Sequence, residues 1–89
     1  MKSICLSEFW SLYHKLPVEI ISLADKKYLL FATNPYHPSL QFKPIKGQFW
    51  SVRIGQNYRA VGKRNGDEIA WFWIGTHAEY DQICRSIKI

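Results

Sequence analysis

Two arginines stand inside stretches otherwise suited to a sheet. Arg53 interrupts Phe49-Trp50-Ser51-Val52-Arg53-Ile54, and Arg59 interrupts Tyr58-Arg59-Ala60-Val61-Gly62. Gly55-Gln56 reads as the turn between them, so a hairpin brings the two guanidinium groups near each other across neighbouring strands. Like charges facing each other on a ladder destabilise it, which suggests an anion between them. Lys43, Lys46, Lys63 and Arg64 complete a set that places 6 of the 12 basic residues within 22 positions, with no Asp or Glu among them. On an open sheet face such a set can grip several phosphates and release their counterions. The plainer alternative is that strand lysines guard edges and keep a small domain soluble. That alternative fits Lys63 and Arg64, which adjoin a turn, and for Lys43 and Lys46, which bracket Pro44, the two readings balance. His77 follows the last apolar run and carries the one side chain whose ordinary titration lies near neutral pH. It has a second reading, because Thr76-His77-Ala78-Glu79 also looks like a helix start. His14 reads as an exposed helix residue, and His37, flanked by Pro35 and Pro38, as part of a rigid connector.

The elements that must position these groups follow from hydrophobic spacing. From Ser7, a possible cap, the residues Phe9, Trp10, Leu12, Tyr13 and Leu16 recur at helical spacing and share a face. Pro17 stops that helix and suits the start of another. Ile20, Ile21, Ala24, Tyr28 and Phe31 mark an amphipathic helix of about 15 residues, ended at Asn34-Pro35. The period then changes. Phe49 to Ile54, Tyr58 to Gly62 and Ile69 to Ile74 predict a three-stranded antiparallel meander, with Asn65-Gly66 as a turn in which both residues tolerate positive φ. Leu40 to Ile45 could add an edge strand limited by Pro44. Residues 1–6 supply at most a short strand, and Ala78 to Ile87 a short C-terminal helix. The expected fold is α+β: an N-terminal helical hairpin packed on a small 3–4-stranded antiparallel sheet, closed by a short helix. In the last strand, Trp71 with Trp73 and Phe72 with Ile74 are expected on opposite faces, with Phe72, Trp73 and Trp50 read chiefly as core.

The whole-chain arithmetic bounds the class. Eighty-nine residues, 47% of them hydrophobic with 4 Trp, 5 Tyr and 5 Phe, make a single domain spanning 1–89 with a modest core. Two lobes around a cleft are excluded by length, and disorder by apolar content. The net charge of +5 points to a polyanionic partner. No secretory leader or membrane-length apolar run is legible, so a soluble cytoplasmic protein without membrane attachment is expected. Cys5 and Cys84, without a CxxC or Cys/His cluster, are expected to be reduced, and no metal or cofactor is expected. The C-terminal Ser86-Ile87-Lys88-Ile89 offers no further catalytic group.

The strings Asn34-Pro35-Tyr36-His37-Pro38-Ser39-Leu40-Gln41-Phe42-Lys43, Phe49-Trp50-Ser51-Val52-Arg53-Ile54, Asn57-Tyr58-Arg59-Ala60-Val61 and Trp71-Phe72-Trp73-Ile74-Gly75-Thr76-His77-Ala78-Glu79-Tyr80 resemble, in this order and spacing, the RelE/ParE superfamily of bacterial toxins. The resemblance spans roughly residues 7 to 85. It implies a compact toxin encoded beside an acidic antitoxin protein that neutralises it. Many relatives cleave mRNA on the ribosome without a metal, whereas the ParE branch poisons DNA gyrase. The first implied function is therefore a ribosome-dependent mRNA endoribonuclease that inhibits translation. The alternatives are a gyrase inhibitor without chemistry of its own and a degenerate toxin that only binds its antitoxin. In the cleaving branch, the resemblance implies that Arg59 holds the scissile phosphate, Arg53 stabilises the transition state and His77 acts as general acid or base. Lys43 and Lys46 would touch RNA, and Tyr80 would stack on a base or orient the phosphate. The chain departs from those relatives in having no acidic residue within its basic strands and a weak opening strand.

Overall fold

The structure, a computed structural model, describes residues 1–87 of the 89, so Lys88 and Ile89 of the C-terminal segment lie outside the described residues. Its elements run β1 (Lys2–Cys5), α1 (Ser7–Tyr13), α2 (Val18–Thr33), a 3₁₀ turn (Pro38–Leu40), β2 (Lys43–Lys46), β3 (Phe49–Arg53), β4 (Tyr58–Asn65), β5 (Glu68–Thr76) and α3 (His77–Ile87). The expected α+β architecture is present, with one strand more than the three or four expected. The sheet has five strands in the order β1-β5-β4-β3-β2. β2 to β5 form the antiparallel part, while β1 joins the edge in parallel with β5, pairing Lys2 with Glu68 through Cys5 with Trp71. The short opening strand is therefore real, and its partner lies more than sixty residues further along the chain.

The two N-terminal helices form because each presents an apolar stripe to one face of this sheet. Phe9 of α1 and Ala24 and Phe31 of α2 meet Val52, Ile54, Ala60, Ile69, Trp71 and Ile74 in the main core. Phe31 and Trp71 meet edge to face with centroids 5.4 Å apart, a geometry that adds to area burial. The Tyr13 hydroxyl donates to Asp25 Oδ1 at 2.7 Å and ties α1 to α2. Leu6, not Ser7, is the cap of α1, and Pro17 stands just outside α2 rather than as its first helical residue.

The β4–β5 hairpin turns at Gly66-Asp67, between the paired Asn65 and Glu68. Only Gly66, at φ 62°, takes a positive φ there, the sign pattern of a type II′ turn. The expectation that Asn65 would share this conformation is corrected, because Asn65 is already part of the strand ladder. A second correction concerns β5. Val61 pairs with Trp73 but Gly62 with Trp71, so the register shifts around Phe72. This bulge adds a residue and breaks the two-residue alternation. Trp71 and Ile74 consequently share the helix-covered core face, while Phe72 and Trp73 stay half-buried outside that core. Trp50 packs against the core as expected.

Candidate functional site

Antiparallel pairing puts directly opposed residues on the same sheet face, so the ladder register sorts the basic residues. Arg53 pairs with Arg59 and Phe49 with Lys63 across β3 and β4, and Lys43 pairs with Ser51 and Lys46 with Phe49 across β2 and β3. Lys43, Lys46, Arg53, Arg59 and Lys63 therefore share the face opposite α1 and α2. Arg64 pairs with Ile69 and belongs to the other face. There its guanidinium lies 4.5 Å from the Trp50 ring centroid and donates to the Tyr36 hydroxyl at 3.0 Å and to the Gly66 carbonyl at 3.0 Å. Its contacts tie the β4–β5 hairpin to Tyr36 and Trp50, a packing role beyond the edge-guarding expected of a turn neighbour.

On the basic face, α3 folds back so that Tyr80 covers Arg59. Arg59 is only 4% exposed. Its guanidinium carbon stands 5.0 Å from the centroid of the Tyr80 ring. Nη2 donates to Ser51 Oγ at 3.1 Å and to the Gln41 carbonyl at 3.3 Å. The latter acceptor is presented by a left-handed residue, Gln41 at φ 45°. Nε is buried with no partner. The ion pairs among the described residues, Lys2 with Glu68 and His77 with Asp81, leave Arg59 without a carboxylate. Burial pushes its guanidinium down from the ordinary value, Tyr80 pulls it up, and the facing Arg53 pushes it down again. A buried cation without a counterion is costly, and an anion delivered to this spot would remove that cost.

Arg53 is half-buried and directs Nε to the Gly55 carbonyl at 3.1 Å, so the turn itself aims the side chain. Tyr80 is buried, and its hydroxyl lies 3.2 Å from Ser51 Oγ. Desolvation raises the pKa of that phenol above the ordinary tyrosine value, keeping it neutral. With one side under Arg59 and its tip on Ser51, the ring is placed to support the arginine.

His77 is the first residue of α3 and is exposed. Its backbone N–H donates to the Asn57 carbonyl at 2.7 Å, tying it to the turn between Arg53 and Arg59. Nδ1 stands 3.5 Å from Asp81 Oδ2, and the imidazole meets the Tyr80 ring edge-on at 5.6 Å. His77 opens a helix, as its second reading expects, and that helix start sits beside the turn that joins Arg53 to Arg59. The helix is nucleated by a capping box. Thr76 Oγ1 accepts from the Glu79 N–H at 3.2 Å, while Glu79 Oε1 accepts from the Thr76 N–H at 3.0 Å and from its hydroxyl at 3.0 Å. These bonds hold the Glu79 carboxyl below the usual range. Gly75, opposite Arg59, has no room for a side chain, since an added Cβ would stand 2.6 Å from the Trp73 indole.

Lys43 and Lys46 lie on the edge strand with exposed side chains. His14 and His37 are outside this cluster: His14 ends α1, and His37 caps the 3₁₀ turn by accepting from the Ser39 N–H at 3.2 Å. Ser51 and Gln41 were missed by the sequence reading. Only their contacts with Arg59 mark them, and neither residue type signals such a role. Cys5 and Cys84 are free. Among the described residues no group of three or more His, Cys, Asp or Glu could hold a metal ion, and no helix is long and apolar enough to cross a membrane. A larger hollow of about 550 Å³ opens between α1, α2 and the sheet. Its lining is mainly Ile4, Phe9, Trp10, Leu29, Phe31 and Trp71, with Asp25 and Lys27 as its only charged groups, so it offers little chemistry beside the arginine pair.

A family model described as a ParE-like toxin domain matches residues 19–82. Comparison with curated proteins gave no match. Among solved structures, the chain is similar to a YoeB/ParE toxin from Agrobacterium tumefaciens, with 19% identity, 86% of this chain and 99% of that chain covered, and a TM-score of 0.65. It is also similar to the RelBE2 toxin–antitoxin complex from Mycobacterium tuberculosis, with 15% identity, 85% and 96% covered, and a TM-score of 0.69. A third likeness is to the RelB–RelE antitoxin–toxin complex from Methanococcus jannaschii, with 21% identity, 90% and 96% covered, and a TM-score of 0.64. At these identities the structures speak to the fold, whereas the family model covers more than two thirds of the chain and includes Arg53, Arg59, His77 and Tyr80. The chain belongs to the ParE-like toxin domain family.

Proposed function

We propose that this domain is the toxin of a toxin–antitoxin pair and inhibits translation by cleaving mRNA on the ribosome, without a metal. The observation that carries the reading is Arg59: a buried guanidinium with no carboxylate partner among the described residues, set opposite Arg53 on a basic face. Cleavage by an internal 2′-hydroxyl forms a bond to phosphorus and breaks the bond to the 5′-oxygen. It leaves a 2′,3′-cyclic phosphate on one fragment and a 5′-hydroxyl on the other. Arg59 and Arg53 would neutralise the extra charge on the pentavalent phosphate, a role worth about 10²–10³ in rate for one well-placed donor. His77, with Nδ1 turned toward Asp81, would protonate the departing 5′-oxygen from Nε2. The 2′-proton would pass to solvent, because among the described residues no carboxylate is paired with the arginines. Tyr80 and Ser51 position Arg59, and Lys43 and Lys46 extend the phosphate contacts along the edge strand. The toxin–antitoxin complexes among the similar structures support an antitoxin protein as partner, and the basic face favours an acidic one.

A second reading, inhibition of DNA gyrase without chemistry, draws support from the ParE-like description of the family and from the missing base. The order of events after induction separates the two. Cleavage predicts that incorporation of labelled amino acid stops before that of thymidine and that Arg59→Ala abolishes the arrest. Thymidine incorporation stopping first, with induction of the DNA-damage response, selects gyrase.

A further inference from the structure

The backbone of His77 is held on both sides. Its N–H donates to the Asn57 carbonyl at 2.7 Å, and the capping box of Thr76 and Glu79 secures the turn around it. Two side-chain torsions remain, and two neighbours limit them. The Tyr80 ring meets the imidazole with centroids 5.6 Å apart, and Asp81 places Oδ2 3.5 Å from Nδ1. Residues four apart share a helix face, so this pairing is built into α3. The Arg59 guanidinium stands 5.0 Å from the centroid of the same Tyr80 ring, so imidazole and arginine contact one aromatic side chain. A carboxylate only accepts hydrogen bonds. Beside a neutral imidazole it favours the proton on Nδ1 and leaves the Nε2 lone pair free. His37 has the opposite arrangement: its Nδ1 accepts from the Ser39 N–H at 3.2 Å, which places the proton of the neutral ring on Nε2. Stability does not account for the His77–Asp81 pair. With side chains 52% and 53% exposed, it belongs to the surface pairs that add little to folding.

We propose that Asp81 is a positioning residue for RNA cleavage, holding His77 so that Nε2 is the nitrogen that exchanges a proton with the substrate. The proposal rests on the reading of this domain as an RNA-cleaving toxin. As the 2′-oxygen bonds to phosphorus and the bond to the 5′-oxygen breaks, the charged imidazole gives its Nε2 proton to that oxygen. The neutral ring left behind carries its proton on Nδ1, the tautomer that Asp81 favours. Asp81 touches no reacting atom, and its effect passes through His77.

Two measurements test this, one of them independent of activity. Long-range ¹H–¹⁵N NMR spectra in alkaline buffer report the tautomer of each neutral histidine. His77 is expected with its proton on Nδ1 and His37, the internal control, with its proton on Nε2. Asp81→Asn should shift His77 toward the Nε2–H form and leave His37 unchanged, while Asp81→Glu keeps the wild-type pattern. Cleavage of mRNA is then timed as ribosome concentration is varied. Asp81→Asn is expected to lower the saturating rate about 10–100-fold, the range for losing an orienting partner, with half-saturation and melting temperature unchanged. Asp81→Glu restores most of the rate, and adding Asp81→Asn to His77→Ala lowers it no further. An unchanged His77 tautomer or a wild-type saturating rate in Asp81→Asn overturns the proposal and leaves the cleavage reading intact. A further loss of rate in the double variant does the same, as does a loss that follows a lowered melting temperature without rescue by Asp81→Glu. Wild-type protein that cuts no mRNA overturns the cleavage reading instead, and a tautomer change in Asp81→Asn would still show that Asp81 sets the imidazole.

Discussion

At Arg59 function and stability pull in opposite directions. Its Nε is buried and unpaired, and among the described residues no carboxylate offsets its charge. Replacing it by methionine, which fills similar space without charge, should relieve an unsatisfied polar group worth about 1–3 kcal/mol. Against this stands the loss of two acceptor contacts, to Ser51 and Gln41. The expected net gain of about 1 kcal/mol raises the melting temperature by about 4–8 °C for a domain of this size, while toxicity is lost. A lower melting temperature in Arg59→Met would contradict the idea that the residue is held for an anion. His77→Asn should remove a proton-transfer contribution of about 10²–10⁴, with little change in thermal stability because the side chain is exposed. That Arg53 and Arg59 come close was legible from the hairpin, but their direct pairing was not, because a two-residue Gly55-Gln56 turn would set Arg53 opposite Tyr58, whereas the loop is one residue longer and the Ile54 N–H meets the Tyr58 carbonyl. The depth of Arg59 was not, because it depends on Tyr80 arriving from another element.

Among the elements, α3 carries both His77 and Tyr80, so its capping box is expected to matter for activity as well as stability. Thr76→Ala should cost about 0.5–2 kcal/mol, the usual effect of losing a cap, and lower activity by loosening Tyr80 over Arg59. The Glu79 half of the box is sensitive to acid. Its folded-state pKa is depressed by hydrogen bonds from Thr76, so its stabilisation is complete above the unfolded value and disappears as pH falls through the folded one. Circular dichroism on acidification should therefore find the wild type losing stability through the carboxylate range more steeply than Glu79→Gln, and parallel acid titrations of the two would contradict this. The helical hairpin was legible from apolar spacing and from Pro17 and Asn34-Pro35. The strand at Lys2–Cys5 was barely legible, because four half-exposed residues pairing in parallel with β5 leave little local signal. The bulge at Phe72 was not legible at all, since strict alternation reads the same with or without an extra residue until a partner strand sets the register.

For the molecule as a whole, the two sheet faces divide the work. One is covered by α1 and α2 and builds the core, and the other gathers three lysines around the arginine pair. The net charge of +5 is thus concentrated where an acidic partner would both bind and inhibit. An acidic antitoxin segment is expected to associate with a rate that falls steeply with ionic strength. At 100 times its dissociation constant it should add about 2.7 kcal/mol to stability. Calorimetry with and without the segment checks this, and unchanged melting at saturation would place the partner's contacts elsewhere. If this face cleaves RNA through Arg53, Arg59 and His77, the chemistry of the cut ends reports it. Purified protein is added to a translating extract and the mRNA ends are mapped. Ribosome-dependent breaks bearing 5′-hydroxyl and 2′,3′-cyclic phosphate (or its 3′-phosphate hydrolysis product) are expected, absent with Arg59→Ala and strongly reduced with His77→Ala. Intact mRNA in an arrested extract, or the same breaks in both variants, would contradict it.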